Sequence, residues 1–138
     1  MKLKDMVVLS TLMSVWHLDR KLRELGYSRS MIEIILHLYS KPECSASLSE
    51  IQGNWAYWGE FGEKELLKTI GSMSDVRYEG SISRSHWDET RLVLEASTKD
   101  ELDRMIRIFL DQEKISDLNW REEVFYRATK SFAGSFST

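Results

Sequence analysis

The stretch that most limits what this chain can become is Gly80–Thr98, GSISRSHWDETRLVLEAST, a polar, arginine-bearing segment in a sequence that otherwise patterns as helix. Ser81–His86 and Thr90–Ala96 flank a Trp87-Asp88-Glu89 turn, and Leu92, Leu94 and Ala96 share one face by period-two alternation, which predicts a β-hairpin. Before it, Glu63–Arg77 places Leu66, Leu67, Ile70, Met73 and Val76 near one face, with Glu65, Lys68, Thr69 and Ser72 on another, which predicts a helix. After it, Thr98 and Glu101 form a T-x-x-E capping box that opens the next helix. A helix that runs straight into a hairpin leaves Arg84 and Arg91 near the tip, able to reach past the protein's own surface.

The remaining helices carry their own start and stop signals. Leu3–Leu25 reads as a first helix ended by Gly26, and its apolar run Met6–Trp16 is expected to be buried on most sides, as a dimer interface would explain. Ser30-Met-Ile-Glu33 reads as a capping box for a second helix with Ile34, Ile35, Leu38 and Tyr39 on its stripe, stopped by Lys41-Pro42. Ser47-Leu-Ser-Glu50 opens a short helix. The glycine-bounded segment Gly53–Gly62 follows as an aromatic loop. A helix over Lys99–Lys114 has Leu102, Met105, Ile106 and Phe109 at i, i+3, i+4 and i+7, a second apolar stripe available to a dimer. Asp117 or Asn119 caps a last helix, and the tail Ser131–Thr138 is expected to fray.

With 138 residues and 42% hydrophobic content, the chain reads as one domain with its own core. A net charge of −3 gives no whole-protein attraction to nucleic acid. Residues 1–41 carry seven Lys and Arg against four Asp and Glu, whereas residues 61–91 carry five against six. A single cysteine excludes an internal disulfide, no leader pattern is visible, and Met6–Trp16 is too short to span a bilayer, so a cytoplasmic protein with no membrane partner is expected.

Three short runs resemble the MarR family of winged-helix regulators, which includes the SarA-like proteins. Gly80-Ser-Ile82-Ser-Arg84 is similar to that family's entry into the wing, Asp88-Glu89-Thr90-Arg91 to its acidic-x-Arg wing tip with Glu89 as the match, and Leu92-Val93-Leu94 through Thr98 to its return strand and next helix start. Helix order and length are similar as well, although the segment from Ile51 to Gly80 is longer by about two helical turns. The resemblance implies a mainly α, winged helix-turn-helix homodimer, with residues 29–98 as the core and 1–25 and 99–132 as dimerisation helices. It implies a regulator that binds double-stranded DNA through a recognition helix near 62–78 and a wing at 81–96. Lys64, Lys68, Thr69 and Ser72 would face the groove, while Arg84, His86 and Arg91 would hold the backbone or minor groove. The alternative is a winged-helix adaptor that binds protein, which the neutral 61–91 balance favours.

Other residues leave choices open. Trp55, Tyr57, Trp58 and Phe61 either line a pocket for a small aromatic effector, anchor a protein partner, or fill core, which is the plainer reading. Trp87 either makes a contact or packs on its own strands. Cys44 is a redox sensor or an inert thiol, with Lys41 as its only visible cationic neighbour. His17 and His37 read as helix-surface or core-edge residues, too scattered with His86 for a metal site. No catalytic motif is present and the carboxylates read as solvated helix faces, so no enzyme, metal or cofactor is expected.

Overall fold

A computed structural model describes residues 3–54, 56–80 and 89–129, with the backbone alone at 3–5, 54 and 56–63. The fold is mainly helical with a small three-stranded antiparallel sheet. In chain order the elements are α1 (Leu3–Glu24), α2 (Arg29–Tyr39), β1 (Ser45–Ser47), α3 (Leu48–Asn54) and α4 (Ala56–Gly71). Then follow β2 (Val76–Glu79), β3 (Arg91–Leu94), α5 (Ala96–Ile106), α6 (Gln112–Ile115) and a π-helical stretch, Trp120–Phe125.

Helix α1 ends as Gly26 predicts. Gly26 has φ +95°, its N–H donates to Arg23 and the Tyr27 N–H donates to Leu22, both at 3.0 Å, so a left-handed residue closes the last carbonyls. In the single chain the apolar run of α1 divides between an outer and an inner side. Met6, Val8, Leu9, Leu12, Met13 and Trp16 are 42–52% exposed, while Thr11 and Ser14 are buried beside Val15 and Leu18. Their hydroxyls donate to the carbonyls one turn back, Thr11 to Val7 at 2.7 Å and Ser14 to Ser10 at 2.8 Å, which removes the cost of burying them. Thr11 also accepts from the Trp120 indole at 2.9 Å.

Helix α2 starts two residues before the expected box. Ser28, with extended backbone, accepts from the Met31 N–H and is the cap, so Ser30 falls in the first turn and Glu33 is buried beside Arg29 at 3.5 Å. Ser47 caps α3 as read, accepting from the Glu50 N–H at 3.1 Å. The aromatic loop is helix instead: α4 runs through Gly59 and Gly62, tolerating two glycines at about 1 kcal/mol each. The same helix stops at Gly71, short of 78. Leu66 and Ile70 are buried from the helix, Met73 from a turn and Val76 from β2. A spacing of three residues fits helix and turn-plus-strand equally, which is why the pattern ran on.

Strand β3 is central, pairing Ser45–Ser47 with Arg91–Val93 on one side and Val76–Glu79 with Arg91–Leu94 on the other. The hairpin arms therefore begin at Val76, and residues 81–88, which hold the expected first strand, lie outside the described residues. Gly80 has φ +96°, and the Glu89 carbonyl lies 3.3 Å from where a Cβ would sit. Leu92 and Leu94 are buried as expected, but Ala96 is exposed and opens α5. The Thr98 capping box is not formed: Thr98 donates to Asp75 at 2.9 Å and Glu101 pairs with Arg104.

The expected helix over Lys99–Lys114 breaks at Ile106, and Asp111 caps α6 by accepting from the Lys114 N–H at 2.8 Å. Leu102 and Ile106 are buried in the core, and the partly buried Met105 and Phe109 pack against it. Asp117, not Asn119, caps the last helix, accepting from Asn119 at 2.9 Å and Trp120 at 3.4 Å. The wider π winding brings Trp120, Arg121 and Phe125 inward together.

Three tyrosines resist ionisation in this fold. Burial, then the hydrogen bond to Asp75 at 2.7 Å, pushes Tyr27 up to about 12; burial, then Asp103, pushes Tyr39 up; burial alone raises Tyr78. An unfolded tyrosine titrates near 10. Above that pH the unfolded chain gives up protons that the folded chain keeps, so stability falls as pH rises. The urea midpoint should drop between pH 9 and pH 11, and drop less in Tyr27→Phe. A flat midpoint in both proteins would contradict this assignment.

Candidate nucleic-acid interface

Helix α3 is short and α4 follows it after one residue, so α4 is placed both by what holds α3 and by its own buried Leu66 and Ile70. Glu50 in the first turn of α3 accepts from Lys41 Nζ at 3.1 Å and lies 3.2 Å from His37 Nε2. Burial alone would raise this carboxyl, but the hydrogen bonds from His37 and Lys41 outweigh it and hold it below its usual range. His37 is fully buried, correcting its placement at a surface or core edge, and packs edge-on against Tyr126, over which Lys41 also lies. The tandem α3–α4 is thereby tied to α2 and to the last helix.

On α4, Lys64 and Lys68 are exposed one turn apart and so share a face. Neither makes an ion pair with another described side chain. Thr69 is half-buried. Ser72 is exposed, but its hydroxyl donates to the Thr69 carbonyl at 2.7 Å and finishes the helix end. Arg91 opens β3, lies opposite Ser47 and Glu79 in the sheet, and donates to the Ser45 hydroxyl at 2.9 Å. That contact steadies the guanidinium without neutralising it. Arg84, His86 and Trp87 of the expected wing, and Trp55 of the aromatic cluster, lie outside the described residues. Tyr57, Trp58 and Phe61 lie on the backbone of α4, and their side chains are outside them too.

Among the described residues of this region, Arg77 is the cation that ion pairs hold. Arg77 lies 3.4 Å from both Glu79 and Glu95, so these charges satisfy one another. Asp75 turns towards Tyr27 and Thr98. Among the described residues, Lys64, Lys68 and Arg91 are exposed cations outside these pairs, set against the exposed Glu65 and Glu89.

A buried polar network that joins α2, α5 and the last helix carries no signal in the sequence. Arg121, 4% exposed, donates to the Tyr39 carbonyl, lies over the Tyr39 ring at 4.3 Å and approaches Asp103 at 4.0 Å. Asp103, 3% exposed, also accepts from the Tyr39 hydroxyl and from Lys99 at 2.8 Å. With Glu33 and Asp19 also buried, the carboxylates are not all on solvated faces. Cys44 sits in this network at φ +51°, with Arg121 Nη2 at 3.6 Å, a cationic neighbour that sequence spacing hides. Burial pushes its thiol up, against the opposite pull of Arg121. The protonated, buried sulfur matches the inert alternative.

Among the described residues no helix is long and apolar enough to cross a membrane, and no group of three or more His, Cys, Asp or Glu is placed to hold a metal ion. No protein-family profile, curated protein or solved structure matches this chain.

Proposed function

We propose that this protein is a winged-helix homodimer that binds duplex DNA as a transcriptional regulator, the reading that the MarR-like resemblance of Gly80–Thr98 also implies. The observation that carries it is the element order: helix, strand, two helices in tandem and two strands, with β3 between β1 and β2. In that arrangement α4 is the second helix of a tandem and leads directly into a two-stranded ribbon, the parts a protein needs to fill a major groove and grip the adjacent backbone. Lys64 and Lys68 supply phosphate or base-edge contacts from α4, and Arg91 supplies a phosphate contact from the ribbon.

The exposed side of α1 supports the dimer. Met6, Leu9, Met13 and Trp16 recur at 3–4–3 spacing on its exposed side, the pattern of a helix that pairs with another helix. A groove of about 420 Å³ lined by Val8, Leu12, Val124 and Ala128, together with Thr11 and the Glu123–Arg127 ion pair, adjoins this face and reaches the last helix. A face with both knobs and a groove suits a second copy related by a two-fold axis. Two reading helices would then meet half-sites one DNA turn, about 34 Å, apart.

Selection from a random duplex pool tests the reading. It should return an inverted repeat with half-sites separated by about one helical turn. Recovery of no preferred or non-specific duplex would overturn it and favour the adaptor alternative, for which the even charge balance of residues 61–91 speaks.

A further inference from the structure

Asp75 lies where the end of α1, the entry to β2 and the start of α5 meet. Tyr27 donates to one carboxylate oxygen at 2.7 Å and Thr98 to the other at 2.9 Å, while the Asp75 carbonyl accepts from the Glu95 N–H at 2.7 Å. The carboxylate is therefore fixed in direction. Both side-chain donors are neutral, and no described Lys, Arg or His side chain pairs with Asp75. Each oxygen keeps a lone pair beyond the one its hydroxyl uses.

Two cavities meet at Asp75 and Tyr27. One, of about 260 Å³, has an apolar wall of Leu22, Leu25, Leu102 and Met105, with Ser97 and Glu101 at its polar side. The other, of about 220 Å³, runs past Met31 to Ser72 and Met73, at the end of α4. Neither is lined by a cationic side chain. The larger has the volume of roughly nine waters. An oriented, unneutralised carboxylate beside an aliphatic wall complements a molecule with a positive head and a compact apolar body, and repels an anion.

We propose that this is a binding site for a small amphipathic amine, with its ammonium on Asp75 and its apolar body against Leu22, Leu102 and Met105. Binding itself is independent of the DNA reading. Only its use as an effector site rests on that reading, through the contact of the second cavity with the end of α4.

Calorimetry at pH 7 on the full chain, without DNA, tests the site with three probes of one shape: 2-phenylethylamine, 2-phenylethanol and phenylacetate. The amine should bind roughly fivefold or more tighter than the alcohol, the scale of one partly screened charge pair, and phenylacetate should bind weakest. Asp75→Asn should bring the amine down to the level of the alcohol. Because that change also loosens the junction of α1 and α5, Ser97→Lys serves as a second variant. Ser97 is exposed, so the fold is kept, and a tethered ammonium at the cavity should displace the amine. Equal binding of amine and alcohol, no amine binding at millimolar concentration, or amine binding unchanged in both variants would overturn the proposal. Loss of DNA binding with amine binding intact would count against the DNA reading alone.

Discussion

Truncating Asp103 to alanine should destabilise the protein by about 3–5 kcal/mol, a large share of the stability of a domain this size. Asp103 is the meeting point of the Tyr39 hydroxyl, the Lys99 ammonium and the Arg121 guanidinium, and it joins α5 to α2 and to the last helix. Its removal leaves Arg121, 4% exposed, with the Tyr39 carbonyl and ring but no countercharge. An uncompensated buried cation costs more than the pair contributes. Asp103→Asn keeps an acceptor for the tyrosine and should cost less. Combining Asp103→Leu with Arg121→Met removes both charges and should be milder than Asp103→Ala alone, a non-additivity expected of groups in one network. Urea unfolding of the four proteins measures it. A loss below 1 kcal/mol for Asp103→Ala would mean that the network opens to water at little cost.

Placing charge at the centre of the α1 stripe should split the proposed dimer. Leu9 and Met13 are 47% and 43% exposed in the protomer, so Leu9→Glu with Met13→Glu disturbs the protomer's core little. In a two-fold pair of α1 helices it sets four carboxylates against one another in an apolar seam. Light scattering should return twice the protomer mass for the wild type and the protomer mass for the variant. Affinity for a two-half-site duplex should fall by about 10²–10⁴, because two linked contacts become one. A variant that stays dimeric would place the interface elsewhere.

Where a structural device is local, the sequence shows it. Gly26 ends α1 with one left-handed residue and Ser47 caps α3 through one hydroxyl, so both could be read from their neighbours. Local rules with two equal solutions misled. Ser28 and Ser30 can both cap α2, and only the buried position of Glu33 beside Arg29 selects the first. Apolar residues three apart carried α4 past Gly71 into β2, because the spacing does not distinguish a helix from a turn followed by a strand. In α1, hydroxyls bonded to their own backbone behave as apolar, so Thr11 and Ser14 can take the inner side, which the apolar run by itself does not reveal. In the candidate interface, the shared face of Lys64 and Lys68 follows from helical spacing. The bond from Arg91 to Ser45 and the clasp of Glu50 by His37 and Lys41 depend on which elements meet in space, and no periodicity encodes them.

The most direct measurement is the affinity for a labelled duplex, by fluorescence anisotropy, as a function of salt. On the proposed reading, Lys64, Lys68 and Arg91 of a dimer would make six phosphate contacts if all three reach the backbone, for which the slope of log K against log salt is about −5. In Lys64→Ala with Lys68→Ala, which removes four of them, the slope should shrink to about −2 while the protein stays folded and dimeric. A wild-type affinity that is undetectable at low salt, or a slope unchanged by the two substitutions, would contradict the account of α4 as the DNA-reading helix.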